Sequence, residues 1–431
     1  MIQGFLHWIG YQSGEELFWL LAPLLLLDAT RYTVGTLLIW ACDVLDDVLS
    51  TTSSVWSGKP NTRPLSHQPR CCAVVAGLNE ADSLRQTLDS LAGQYPNLQI
   101  VVVDDGSTDG MSEVASQFAR HHGDTTVVRK PERGGKSSAL NAALPYTDAE
   151  ILVCVDSDSH LGENAVWEIV QPFTDPAVAA VSGTVLVRKP FVNWLTWLQA
   201  LEYYRCIFLG RMFTSRLGIL GIISGAFGAY RREALLQVGA WDVGPGEDGD
   251  VTLRLRRAGY KIEFAPYAQC FTNPVQKARQ LTKQRRRWEW AVVTLECRKH
   301  FDIINPLQAD FRLNNAIMVL DRWLYSIVLQ YAFAVYMIWQ LCHLHQHTGY
   351  QYFFYYLVYI CLEIFQLGVL MYYCNERVHV LKVGVIFPLI PFYYLWMRCV
   401  TLWAVSEEFL TRRSYRDNFV PPRVRRVTWH W

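Results

Sequence analysis

The chain has 431 residues, enough for two ordinary domains with a sizeable core. Hydrophobic residues make up 51%, aromatics 13% and charged residues 18%, against about 25% charged in ordinary globular chains. These values exclude intrinsic disorder, a collagen-like repeat and a small disulfide scaffold, and a net charge of +1 supplies no global field for nucleic acid.

The first apolar run lies between Leu17 and Leu45 and contains Asp28 and Arg31, spaced to pair on one helix face. About 20 apolar residues cross a bilayer, so the run is expected as one tilted span and is too short for two. No Lys or Arg precedes it and no small-residue cleavage site follows, so it does not read as a cleaved signal peptide.

The middle of the chain reads as alternating strands and helices. Cys72–Gly77 is a short apolar strand bounded by Gly77 and Asn79, and Asn79 is expected to cap a helix carrying Leu84, Leu88 and Leu91 at helical spacing. Leu98–Val103 is the next strand, ending in Asp104-Asp105-Gly106. Strand, helix and strand over this short stretch make a βαβ unit, hence a parallel sheet. A helix over Met111–Arg120, a short strand over Thr126–Val128 and a helix over Lys136–Leu144 follow. Strands are then expected over Ile151–Val155, ending in Asp156-Ser157-Asp158, and over Val178–Val187. Ligands bind beyond the carboxyl ends of strands in open α/β sheets, so the two acidic clusters are expected to meet at one edge.

Four constellations carry chemistry. Asp156-Ser157-Asp158 places two carboxylates at a strand end, and Mg²⁺ typically joins one or two carboxylates to substrate phosphates. Gly134-Gly135-Lys136 opens a helix, where backbone amides and one ammonium suit a diphosphate, though without the spacing of a Walker A loop. Gly244–Asp250 packs Glu247, Asp248 and Asp250 into a turn, with Asp248 the candidate base. Gln284-Arg285-Arg286-Arg287-Trp288 lies in a basic segment that suits anionic lipid. The planar fork of Arg287 also suits a diphosphate, and Trp288 a sugar ring. Trp194, Trp197, Tyr203 and Tyr204 precede a basic stretch ending at Arg211, in the pattern of an interfacial helix, although core packing explains any one of them equally well.

Three apolar runs follow, Trp323–Cys342, Tyr352–Tyr373 and Val383–Trp403. Residues 1–16 and the 343–351 connection carry no Lys or Arg, whereas Arg377 and Lys382 follow the second run, which puts the soluble middle on the cytoplasmic side. The tail carries Arg412, Arg413, Arg416, Arg423, Arg425 and Arg426 and calls for the same side. Pro388 and Pro391 interrupt the last run, so it is expected to be re-entrant or interfacial. Eleven cysteines form no CxxC pair, and adjacent Cys71 and Cys72 read as small buried strand residues. His343, His345 and His347 read as a solvated loop.

Taken in order, these motifs resemble membrane-integrated family 2 glycosyltransferases. The residues are Asp104-Asp105-Gly106, Asp156-Ser157-Asp158, Gly246-Glu247-Asp248 and Gln284-Arg285-Arg286-Arg287-Trp288. Poly-N-acetylglucosamine synthases and nodulation chitin-oligosaccharide synthases are the most similar groups, with hyaluronan and cellulose synthases more distant. The resemblance implies an α/β GT-A glycosyltransferase domain, its sheet mostly parallel, inserted between transmembrane and interfacial helices. It divides the chain into a transmembrane helix (1–48), a linker (49–70), a cytoplasmic GT-A domain (71–275), interfacial helices with the Gln-x-x-Arg-Trp element (276–312), a transmembrane region (313–410) and a basic tail (411–431). It also implies Asp105, Lys136 and Asp156 at the nucleotide, Asp158 at Mg²⁺ or Mn²⁺, and Asp248 as base. Ser224, Gly225, Glu247, Gln284, Arg287 and Trp288 would stand at the acceptor and diphosphate. Gly246 replaces the usual Thr and loosens the turn by allowing positive φ.

The resemblance further implies a processive β-transferase in the plasma (inner) membrane that elongates a polysaccharide from a UDP-sugar, UDP-N-acetylglucosamine first and UDP-glucose second. A small accessory membrane subunit is a further partner, and nucleic acid is not. The competing readings are a non-processive transferase that loads one sugar on a lipid carrier, and a non-catalytic export component. The latter gives no reason to keep Asp105, Asp158 and Asp248 together.

Overall fold

The computed structural model describes residues 2–24, 33–49, 68–242, 246–344, 347–417 and 421–424. At its centre is an open eight-stranded sheet in the order β3-β2-β1-β4-β7-β6-β8-β5. The strands are β1 Cys71–Gly77, β2 Gln99–Asp104, β3 Thr125–Arg129, β4 Ile151–Asp156, β5 Ser159–Leu161, β6 Val178–Val187, β7 Phe227–Arg231 and β8 Lys261–Thr272. β3, β2, β1 and β4 run parallel, as do β6 and β8. β7 runs antiparallel to β4 and β6, and β5 antiparallel to β8. β1, β2 and β4 are nearly continuous apolar runs buried along their length, the pattern of strands covered on both faces. Cys71 and Cys72 pack there as expected, and burial pushes their thiols up to about 12 and about 11.

The expected elements fall within a residue or two of the observed ones, and Leu84, Leu88 and Leu91 are fully buried on the Ala81–Leu91 helix. Asn79 does not cap that helix. Its φ is 57° and its side-chain oxygen accepts from Thr108 N at 2.9 Å, while Asp109 accepts from Ala81 N at 2.9 Å. The cap thus comes from the loop after β2 and ties two carboxyl-end loops together. Strands β5, β7 and β8 were not anticipated. β8 contains Pro266 and its register against β6 shifts between Gly183 and Thr184, so its period is broken. β7 is glycine-containing and short, and a Cβ on Gly228 would collide with Ile223.

Among the described residues, two helices, Leu313–Cys342 and Thr348–Tyr373, are long and apolar enough to cross a membrane, and a bent pair, Arg377–Gly384 and Phe387–Thr411, counts as a third if taken as one span. Within the first, only 6% of its most apolar stretch is buried, the exposure of a surface that faces lipid. The described parts of the N-terminal run are two helices, Gly14–Leu24 and Gly35–Leu49; Asp28 and Arg31 lie outside the described residues, as does His345. His343 stacks on Trp339, ring centres 4.9 Å apart.

The last helix, Ile390–Thr411, stays beside the catalytic half. Tyr393 donates to Glu202 at 2.7 Å near its start, Thr401 donates to Glu289 at 3.2 Å, and Glu407 and Glu408 pair with Arg286 (2.5 Å) and Arg298 (2.6 Å) near its end. Before the bend, Trp197 donates to Val383 O at 2.8 Å. Of the aromatics read as interfacial, Tyr203 and Tyr204 are buried and Trp194 is exposed.

Candidate active site

The register aligns Gly77 with Asp104 and Ala76 with Asp156, so the acidic ends of β2 and β4 flank the end of β1 on one edge. The neighbouring aspartates differ in use. Asp104 is buried and ties its own turn, accepting from Ser107 N at 2.7 Å and from the Ser112 hydroxyl. Asp105, also buried, holds the next loop: it pairs with Lys130 and accepts from Gly134 N (2.9 Å) and Gly135 N (2.7 Å). That loop delivers Lys136. Gly135 takes φ of 87° and Lys136 begins a helix, Lys136–Ala143.

Lys136 is the hub. Its ammonium pairs with Asp156, donates to Gly225 O at 2.9 Å and lies 3.9 Å from Glu247. Burial alone would lower its pKa, but Asp156 and Glu247 outweigh burial and hold it raised. Burial and then Asp248 push the Glu247 carboxyl up to about 7.

Asp158 follows β4 by two residues. Burial, then the charges of Asp156 and Glu80, push its carboxyl up to about 6. Asp158, Asp156 and Glu80 thus repel one another, with Lys136 opposing them, an excess of negative charge that a divalent ion relieves. Among the described residues no three acid, histidine or cysteine side chains form a closed metal cage. Two carboxylates at a strand end fit Mg²⁺ or Mn²⁺, which complete their shells with phosphate and water. Glu80 was missed in the sequence; its signal was its place directly after β1, on the same edge.

Glu247 and Asp248 open the helix Glu247–Arg257, which has Glu247, Asp248 and Asp250 in its first turn and Arg254, Arg256 and Arg257 in its last, both favourable for the helix dipole. Asp248 Oδ2 accepts from Gly225 N at 3.2 Å and Oδ1 from Gly249 N at 2.8 Å. Asp250 turns away, into Arg254 (2.9 Å), Lys299 (2.8 Å) and His300 (2.9 Å). Gly246 precedes the helix with φ of 77°, and a Cβ there would stand 2.8 Å from Ala291 Cβ and 3.2 Å from Leu295 Cδ1. Installing the usual residue, Gly246→Thr, is therefore expected to destabilise by about 2–4 kcal/mol through backbone strain and overpacking. A thermal melt of the purified protein checks this; an unchanged midpoint would refute it.

The Gln-x-x-Arg-Trp element lies on the helix Ala278–Thr294. Its three arginines diverge. Arg285 is buried against Glu202 (2.5 Å), and Arg286 pairs with Glu407 and lies over Trp403, 3.9 Å from the ring centre. Burial lowers the pKa of Arg287 against the pull of the Asp417 and Glu247 charges. Trp288 is 46% exposed, with Arg285 4.1 Å from its ring centre. Gln284 Oε1 is buried without a partner among the described residues. Ser224 N donates to Ser182 Oγ at 3.2 Å, beside Gly225.

The open sheet with acids at its carboxyl edge, a lysine-bearing glycine loop and an acidic helix start are the features of a GT-A fold. Residues 69–291 match the family described as "Glycosyltransferase like family 2", and the chain belongs to that family. A poly-β-1,6-N-acetyl-D-glucosamine synthase of Staphylococcus epidermidis is 31% identical over 218 residues, covering 50% of this chain and 52% of the relative. The synthase of the same name from Staphylococcus aureus is 30% identical over the same length. The match spans about half the length of these curated relatives. Among solved structures, a mannosyltransferase from Pyrobaculum calidifontis, in complex with GDP-Man and Mn²⁺, is similar in fold, with a TM-score of 0.58 and 20% identity, covering 91% of this chain and 99% of that one. The chain thus combines a domain of that family with helices able to span a membrane.

Proposed function

We propose that the protein is a processive, inverting β-glycosyltransferase that polymerises a sugar from a UDP-sugar, UDP-N-acetylglucosamine first, into an exported polysaccharide whose channel its own helices help form. One observation carries the reading. Lys136, Asp156, Gly225, Glu247 and Asp248 form a single contact network at the sheet's carboxyl edge. The names of the relatives support the polymer and the sugar.

Asp248 takes the proton from the acceptor hydroxyl at the growing non-reducing end. The oxygen attacks the anomeric carbon of an α-linked donor, and configuration inverts to β as UDP leaves. Lys136 and Arg287 receive the charge on the departing diphosphate. A divalent cation held by Asp158 supplies further neutralisation of that diphosphate when bound. Asp105 keeps the Lys136 loop in place and reaches the nucleotide base, Asp156 the ribose and diphosphate. Ser224, Gly225, Glu247, Gln284 and Trp288 line the acceptor side. On this reading residues 71–275 are the cytoplasmic domain of a multi-pass inner-membrane protein, and the basic residues Arg377 and Lys382 support that side. The exposed Leu313–Cys342 helix faces lipid or a small accessory membrane subunit.

The test is a membrane assay with labelled UDP-N-acetylglucosamine and UDP-glucose, each with Mg²⁺ and with Mn²⁺. A large labelled product from the first donor is expected. A product no larger than one sugar on a lipid carrier would overturn processive synthesis, and a large product from UDP-glucose alone would overturn the sugar.

A further inference from the structure

Donor pocket and base meet on one residue. The Gly225 carbonyl accepts from Lys136 Nζ at 2.9 Å, and the Gly225 N–H donates to Asp248 Oδ2 at 3.2 Å. The fit is tight, since a Cβ on Gly225 would stand 3.1 Å from Lys136 Nζ and 3.2 Å from Asp248 Oδ2. With Gly249 N on Oδ1 at 2.8 Å, both oxygens of the base already accept a hydrogen bond. Its Oδ2 is thus covered where an acceptor hydroxyl would approach. The segment has a second anchor. Ile223 N donates to Thr252 Oγ1 at 3.1 Å, and the fully buried Thr252 hydroxyl donates to Asp248 O at 2.6 Å. Ile223 is therefore pinned to the Glu247–Arg257 helix, while Gly225, two residues on and half-buried, is held by Lys136 and Asp248.

We propose that Gly225 is a latch coupling nucleotide occupancy to the base. A nucleoside diphosphate draws the Lys136 ammonium to its phosphates, the Gly225 carbonyl loses its donor, and the Gly225 peptide turns between its anchored neighbours, Ser224 on Ser182 Oγ and Ala226 O on Asp156 N, to uncover Asp248 Oδ2. The acceptor hydroxyl is activated only after the donor is in place, so binding is ordered, donor first. Thr252 is a positioning residue in this scheme, because it touches neither substrate and fixes Ile223. The proposal rests on the reading of Lys136 and Asp248 given above.

The test is hydrogen–deuterium exchange on the full chain in lipid nanodiscs, with and without UDP or GDP in the presence of Mn²⁺, alongside a binding titration on the same sample. Exchange of the peptide containing Gly225 is expected to rise about tenfold when the nucleotide binds, the scale of one lost hydrogen bond to a charged group. Thr252→Val should keep nucleotide affinity and donor KM, lose the nucleotide-dependent step in exchange and lower kcat, and Thr252→Ser should restore both. Nucleotide binding with unchanged or slower exchange would overturn the latch and leave the functional reading intact. Binding of neither nucleotide would overturn both. If Thr252→Val fails to fold, the wild-type exchange and the Thr252→Ser kinetics still decide.

Discussion

Asp248→Asn is expected to cut sugar transfer by about 10²–10⁴-fold, the usual worth of a positioned general base. The substitution is isosteric and removes the group that accepts the proton. It also has a local cost. Gly225 N–H and Gly249 N–H point at the two carboxylate oxygens, so whichever way the amide turns, its NH₂ meets an N–H donor. About 1–3 kcal/mol of hydrogen bonding is lost there, which moves the helix start slightly without unfolding the domain. Nucleotide affinity should stay within about threefold, because a group engaged only on the acceptor side lowers kcat and kcat/KM together. The measurement pairs initial rates with a UDP titration of the same preparation. Normal turnover would remove Asp248 from the chemistry, and a parallel loss of UDP affinity would move it to the donor site.

The edge that holds Asp104, Asp105, Asp156 and Asp158 was legible in the sequence because each strand is an apolar run that stops abruptly at acids, and a parallel sheet brings such ends together. Other parts were not. Glu247, Asp248 and Asp250 look equivalent in a turn, yet a helix begins at Glu247 and its rotation sends Asp250 to Lys299 and His300. The use of Asp105 to brace Gly134 and Gly135 depends on a loop 29 residues away closing onto it. Asp417 beside Arg287 and Arg423 on Glu132 bring the tail to the catalytic half, and contacts across such separations leave no local pattern. The expectation that the interrupted last run is re-entrant or interfacial rested on the arginine-rich tail and on Pro388 and Pro391. The hydrogen bonds from Tyr393 and Thr401, and the pairs at Glu407 and Glu408, anchor the helix Ile390–Thr411 to the catalytic half through contacts that the prolines do not signal.

Arg287→Lys is the second substitution with a large expected effect, about 10²-fold in kcat or more, with a smaller change in KM. The three consecutive arginines make the case. Arg285 and Arg286 are each committed to a half-buried carboxylate, Glu202 and Glu407, and each lies over an indole ring. Replacing either leaves a half-buried carboxylate unpaired and reads out as instability of about 1–3 kcal/mol. Arg287 instead feels the charges of Asp417 and of Glu247, the latter one residue from the base, and its burial already disfavours the charge it carries. A desolvated guanidinium at that place interacts strongly with charge that appears only as the diphosphate departs, and its fork matches two phosphate oxygens where an ammonium matches one. Lysine keeps the charge and loses the fork. The deficit should therefore fall on the transfer step and leave the melting midpoint near that of the wild type. Initial rates and a melt on the same protein separate the two cases: a large fall in midpoint with proportional loss of activity would assign Arg287 to the structural role of its two neighbours.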